Sequence, residues 1–291
     1  MRRLKRNRIF SFVVIILAYI TATVTGVWIT SVMNGQPWVK ILVADIVATI
    51  ILFIFSSIFS NSSIYTPYWS VKPIVIVIGM ALGTKLTLLR FLLIFAICVW
   101  GARLTFNWVS RFRSLRYEDW RYIRFRRIWG PLFPVINFLG IHLFPSMIVY
   151  TCMLPVISAF TFEADFSIFS LPFFFIALSA AFMEAYADYH MTLWKKDVAD
   201  GYATGCCRYG MWKHARHPNY LGEILFWWAI YLTVILTYTN KWHLFYGALS
   251  NTLMFVFVSI PLAESRLSNK PGYRRYKAQT RLLLPIRKGR R

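Results

Sequence analysis

Residues 9–33 read IFSFVVIILAYITATVTGVWITSVM, an unbroken run with no charged side chain. About 20 apolar residues suffice to cross bilayer hydrocarbon, where only a helix can satisfy every backbone N–H and C=O within one segment. The basic residues before the run and its apolar character resemble a secretory signal, but it is long enough to span and has no small-residue cleavage site, so it reads as a retained first helix. Working outward, further apolar stretches follow at 41–59, 73–82, 86–108, 132–160, 168–191, 224–238 and 242–262. With 58% apolar and 18% aromatic residues, the chain exceeds what a soluble core of 291 residues requires, and the excess must face lipid. The expected fold class is therefore all-α, a polytopic membrane protein of seven or eight transmembrane helices, with 73–82 the segment too short to be secure.

The net charge of +22 arises from 33 Lys and Arg against 11 Asp and Glu. In a soluble protein that balance would point to nucleic acid, but here the basic residues crowd into the segments 2–8, 103–127, 195–216 and 266–291, between apolar spans. Cytoplasmic flanks of membrane helices have this pattern, and they attract anionic headgroups. Placing all four segments inside requires eight crossings and both termini in the cytoplasm. An acidic loop at 162–166, with Glu163 and Asp165, falls on the opposite side. Cys98, Cys152, Cys206 and Cys207 have neither metal-site spacing nor a disulfide framework. Without internal repeats or low-complexity linkers, the chain reads as a single membrane domain, 1–291, whose first 60 residues are the least distinctive.

Chemistry concentrates where basic loops meet helices. Residues 210–228, GMWKHARHPNYLGEILFWW, turn abruptly from polar loop to apolar helix, and Pro218 suits the first turn of that helix. Lys213, His214, Arg216 and His217 add donors at an N-terminus whose amides favour an anion. Local physics leaves open whether this is a phosphate site or simply a capped cytoplasmic loop. In EAYADYH (184–190), Glu184 and Asp188 share one face of an apolar helix, and carboxylates in a membrane need a polar cavity, a partner charge or a ligand. Arg103 and Asn107 are likewise four apart, at the end of a span. The tail at 265–286, SRLSNKPGYRRYKAQTRLLLPI, mixes aromatic and basic residues as a lipid-surface segment does. His142 and His190 read as satisfied packing residues.

The string RHPNYLGE resembles the signature of steroid 5α-reductases and sterol reductases and, in looser form, that of isoprenylcysteine and phospholipid methyltransferases. TPYWSVKP (66–73), RLTFNW (103–108), YEDWRY (117–122), EAYADYH (184–190) and residues 260–286 extend the likeness across 61–291 and favour the reductase branch, particularly bacterial-type proteins with a steroid 5α-reductase-like C-terminal domain. The resemblance implies an NADPH-dependent reductase that reduces an activated C=C bond of a lipid-like substrate entering from the bilayer. It assigns cofactor contacts to Arg103, Asn107, Glu184, Asp188, His217, Asn219, Tyr220, Glu223 and Tyr276, with Arg266 and Tyr273 as companions. It also implies that the tail folds back as a cytosolic cap. Arg208, Lys213 and Arg216 are the candidates for a 2′-phosphate.

The proton donor departs from the family. Trp100 stands where animal 5α-reductases have a Tyr, and the position of their Glu falls in Tyr65-Thr66-Pro67-Tyr68-Trp69, which has no acid. Tyr65 and Tyr68 are the replacement candidates, and Asp45, the one acid of the second span, is either a donor or a structural partner. Two rival readings remain at this stage: an S-adenosylmethionine-dependent membrane methyltransferase, and a transporter or lipid-binding scaffold. The substrate and the membrane, a bacterial inner membrane or an endoplasmic reticulum, are left open.

Overall fold

A computed structural model of the chain describes residues 4–163 and 166–287. Asp165 of the expected acidic loop and the outermost residues of both terminal basic segments lie outside the described residues. Among the described residues all named elements are helical, and seven helical segments are long and apolar enough to cross a membrane: Arg8–Val32, Pro37–Ile58, Ser62–Leu82, Leu88–Arg111, Trp120–Thr161, Ser170–Ala199 and Thr239–Leu267. The chain is an all-α multi-pass membrane protein. It divides into two compact units, residues 1–165 and 166–291, with the boundary in the acidic loop.

In the first unit, helices begin where the sequence supplies caps. The Asn7 side chain accepts from the Phe10 amide at 3.1 Å and starts α1 (Arg8–Val32). Pro37 opens α2 (Pro37–Ile58), Thr87 caps α4 (Leu88–Arg111), and the Asp119 carboxylate accepts from the Arg121 amide at 2.9 Å to start α5 (Trp120–Trp129). The Val, Ile and Thr residues of α1 form helix poorly in water, but hydrocarbon removes the competing solvent bonds and the helix becomes obligatory. α1 and α2 bury Ala18, Ala22, Ala44 and Ala48, small side chains that let their backbones approach.

The segment expected at 73–82 is longer than its apolar run. α3 occupies Tyr68–Leu82 behind a 3-10 turn at Ser62–Ile64, making a span of 21 residues with Pro73 inside the helix. Ser70 and Lys72, which precede the apolar run, are buried by partners within the unit. α6 (Phe133–Ile136), a π-helical stretch at Asn137–Leu143 and α7 (Phe144–Thr161) complete the unit. His142, on the π-helical stretch, is fully buried and satisfied: Nδ1 lies 2.9 Å from the Asn137 carbonyl and Nε2 3.0 Å from Ser56 Oγ.

The second unit is built on α8 (Ser170–Ala199) and α9 (Pro218–Ile235), followed by α10 (Tyr246–Met254), a π-helical turn, α11 (Ile260–Leu267) and α12 (Tyr273–Gln279). α9 stands where 224–238 was expected; its polar opening, with Asn219 and Glu223, keeps it outside the seven apolar spans. α8 and α9 touch at Gly222, where a Cβ would lie 2.3 Å from Glu184 Cγ and 3.0 Å from the Ala180 carbonyl oxygen. Beyond α12 the tail folds back on the segment leading into α9. The Arg216 amide donates to the Arg281 carbonyl at 3.0 Å, His217 to Leu282 at 3.1 Å, and Arg281 to His214 at 2.8 Å.

Candidate functional site

Two sites emerge, one in each unit. In the first, a cavity of about 510 Å³ is walled by stripes of α1, α2 and α3. The stripes follow helical spacing: Tyr19, Ala22, Thr23, Gly26, Val27 and Thr30 from α1, and Pro37, Lys40, Ile41, Ala44, Asp45 and Ala48 from α2. α3 contributes the same repeat from Tyr68 through Lys72 and Gly79 to Gly83. The lining is mostly apolar, with a half-buried Lys40 toward the start of α2 and one polar cluster where Asp45, Lys72 and Tyr68 meet. There Lys72 Nζ donates to Asp45 Oδ2 and to the Ser146 carbonyl, at 2.8 and 2.9 Å, and the Tyr68 hydroxyl lies 3.4 Å from Asp45 Oδ1. Lys72 and Asp45 are each only 4% exposed, so the two charges neutralise each other out of contact with solvent.

Of the expected donors, Tyr68 and Asp45 therefore line this cavity together. Tyr65 does not line it; its buried hydroxyl pairs with Ser146 Oγ at 2.9 Å, and Ser146 Oγ also pairs with Thr49. Arg103 and Asn107 sit one turn apart and half-buried on α4, as their spacing predicted. Trp100, in the position of the family's Tyr, is fully buried.

In the second unit the polar residues gather on one carboxylate. Glu264 Oε1 accepts from Arg216 Nε at 2.9 Å and lies 2.8 Å from His217 Nε2, while the Tyr273 hydroxyl donates to Oε2. Arg216 also donates to the Thr280 carbonyl at 3.0 Å. Arg216 and His217, expected to offer charge to a phosphate, are thus engaged in holding α11, α12 and the tail to the start of α9. Burial, and then the bond to Glu264, push the Tyr273 hydroxyl up to about 12. Tyr276 is raised too, by burial, and its hydroxyl donates to the Trp212 and Ala215 carbonyls at 2.8 and 3.3 Å. These bonds leave Tyr276 its ring face for contact, which the Arg208 guanidinium overlies at 5.5 Å.

The remaining predicted residues occupy distinct settings. Tyr220 stacks nearly parallel on His217, with ring centroids 5.2 Å apart. Glu223 is buried and accepts from Trp227 Nε1 at 3.0 Å. Glu184 is buried against Gly222, and Asp188 is half-buried one turn further along α8. Lys213, Arg208 and Arg266 are exposed. Asn219, in the first turn of α9, has a buried Oδ1 without a hydrogen-bond partner, a free acceptor beside a helix N-terminus. A shallow basic recess bounded by Arg216, Arg274, Lys277 and Arg281 opens next to the tail. Among the described residues no cluster of His, Cys, Asp and Glu could hold a metal ion.

Sequence reasoning passed over Lys72 and the organising role of Glu264. A single Lys in one span and a single Asp in the preceding span was the available signal, since each requires a partner in lipid.

Residues 52–280 match the family described as "Protein of unknown function (DUF1295)". An uncharacterized protein of Schizosaccharomyces pombe is 25% identical over 224 residues, covering 68% of this chain and 65% of the yeast protein's length. No solved structure matches.

Proposed function

This chain belongs to the DUF1295 family, and from that membership and the geometry of its two units we propose that it is an NADPH-dependent membrane reductase of the steroid 5α-reductase type. In this reading it reduces an activated C=C bond of a lipid-like substrate. The observation that carries the proposal is the first unit's cavity, whose largely apolar walls come from three membrane-crossing helices and whose two buried charges, Asp45 and Lys72, meet at one place. Such a site orients an apolar molecule by a single functional group, as reduction next to a carbonyl requires.

The second unit supports the cofactor. The buried, unpaired Asn219 Oδ1 fits a donor such as a carboxamide N–H, and exposed Lys213 and Arg208 fit phosphate. These three residues would hold NADPH, which supplies a hydride when bound. The chain's own residues do the rest: the Tyr68 hydroxyl, which donates a long bond of 3.4 Å to Asp45 Oδ1, would turn that hydrogen to a substrate carbonyl oxygen, and the apolar walls exclude water.

Thermal unfolding of the purified protein tests the assignment. NADPH should raise the midpoint, S-adenosylmethionine should leave it unchanged, and Asn219→Ala should abolish the NADPH shift while its own ligand-free midpoint stays near wild type. A shift with S-adenosylmethionine and none with NADPH would move the chain to the methyltransferases.

A further inference from the structure

The cavity of the first unit is long as well as apolar. Its α3 wall runs from Tyr68 to Gly83, and fifteen helical steps extend roughly 22 Å. Its lining includes small residues, Ala22 and Gly26 on α1, Ala44 and Ala48 on α2, and Gly79 on α3; a Cβ on Gly26 would meet Ala44 at 3.8 Å, so the room lies on the α3 side. Gly79 borders open space, with no atom within 4 Å of where a Cβ would stand. At one end lies the buried Asp45–Lys72 pair. An ammonium carries three N–H donors, and Lys72 uses two, on Asp45 and on the Ser146 carbonyl. The third hydrogen has no hydrogen-bond acceptor, only the Tyr68 ring with its centroid 5.8 Å from Nζ, on a side chain that is 4% exposed and lines the cavity. Leaving a buried donor unmade is costly, so the site is built for an acceptor.

We propose that this cavity binds a neutral single-chain lipid with a carbonyl at or near one end, the carbonyl oxygen accepting the third hydrogen of Lys72 and the chain lying along the Ala and Gly stripe. Length selects the chain: a groove of this extent matches an acyl or polyprenyl tail, whereas a compact ring system would leave much of it unfilled. Charge selects the head group. Asp45 already neutralises Lys72, so a carboxylate placed beside them would bring an uncompensated anion into an apolar site, while a ketone or aldehyde adds none. Lys40 also lines the cavity, toward the start of α2 from Asp45, and is half-buried, so a fatty acid that docked the other way round would place its head there. The inference rests on the proposed function only in taking the cavity as the substrate site.

Binding without cofactor tests it separately from reduction. Heptadecan-2-one, palmitate and a tetracyclic ketone are titrated against the purified protein in detergent, with intrinsic tryptophan fluorescence as the readout. The long-chain ketone should bind at least about tenfold more tightly than the matching alkane, the scale of one hydrogen bond to a charged donor, and more tightly than either competitor. Gly79→Leu, which fills the groove and leaves the ion pair intact, should weaken it by about tenfold or more. The paired change Asp45→Leu with Lys72→Met, which avoids stranding either charge, should remove the preference for ketone over the matching alkane. Equal affinity for the tetracyclic ketone, unchanged binding in Gly79→Leu, or palmitate binding that disappears in Lys40→Gln would overturn the proposal. Ketone binding without NADPH oxidation on the corresponding enone would leave it standing and sink the reductase reading.

Discussion

The two units handle buried charge in opposite ways. In the first, Asp45 and Lys72 lie within membrane-crossing helices, matched one to one and buried from solvent at the edge of the cavity. In the second, Glu264 lies at the end of its span, gathers Arg216, His217 and Tyr273, and joins pieces of chain that connect through polar loops. Both follow the rule that a charge out of water needs a partner, but the consequences of separation differ. If the Asp45–Lys72 pair parts, each charge is left in an apolar surround; if the Glu264 cluster parts, water can reach its members. The first arrangement is suited to a rigid cavity wall, and the second to holding the tail against the start of α9.

The largest effect should come from breaking the enclosed pair. Asp45→Ala strands the Lys72 ammonium and should cost about 3–5 kcal/mol, whereas Asp45→Leu combined with Lys72→Met should recover most of that loss. Reversible unfolding in detergent measures both. If Asp45→Ala unfolds like the wild type, the contrast between the units is unsound.

Next in size is the α8–α9 contact. Gly222→Ala forces a methyl into Glu184 Cγ and the Ala180 carbonyl, and overpacking of this kind costs about 1–3 kcal/mol. Ala180 cannot yield without moving the α8 backbone, so the cost should appear as a lower midpoint. A midpoint equal to wild type would mean that the helices can part at no expense, and the second unit would be looser than its contacts imply.

Much of this architecture was legible beforehand, for identifiable reasons. Long uncharged runs such as 9–33 have one physical outcome in lipid, and Pro218 marks the start of α9 because its ring suits the first turn, where no N–H is needed. α3 was underestimated because Ser70 and Lys72 carry no local sign that they are buried; their partners, Thr105 and Asp45, lie on other helices. Spacing put Glu184 and Asp188 on one helix face, but burial of Glu184 against Gly222 depends on α9. The basic residues of the RHPNY stretch looked equivalent, yet Arg216 and His217 turn toward Glu264 while Lys213 stays exposed, a division set by the returning tail. Local patterns reveal elements; partners distant in sequence decide which polar group is free to bind.

A smaller effect should follow from loosening the tail. Glu264→Gln keeps an acceptor for Tyr273 but removes the charge that holds Arg216, and should cost about 1.5–3 kcal/mol of tail docking with little change in the midpoint of the first unit. Faster proteolysis around residues 268–272 would report it. Cleavage at the wild-type rate would show that the tail is held chiefly by its backbone bonds to 214–217.

The smallest effect is a pH dependence whose sign follows from Tyr273. Burial, then the bond to Glu264, raise this hydroxyl from the ordinary value of 10.0 to about 12. The docked tail thus holds the proton more tightly than the released tail does, and between those values the released form gains stability by ionising. The contribution of Tyr273 is complete below about pH 10, declines as pH rises toward 12, and is absent above it. The Arg216 guanidinium beside the same carboxylate opposes the rise only partly. The difference in thermal midpoint between wild type and Tyr273→Phe should therefore be constant up to about pH 9 and then narrow. A gap that held constant through pH 12 would mean that the hydroxyl is not what ties α12 to Glu264, and the second unit's cluster would reduce to Arg216 and His217 alone.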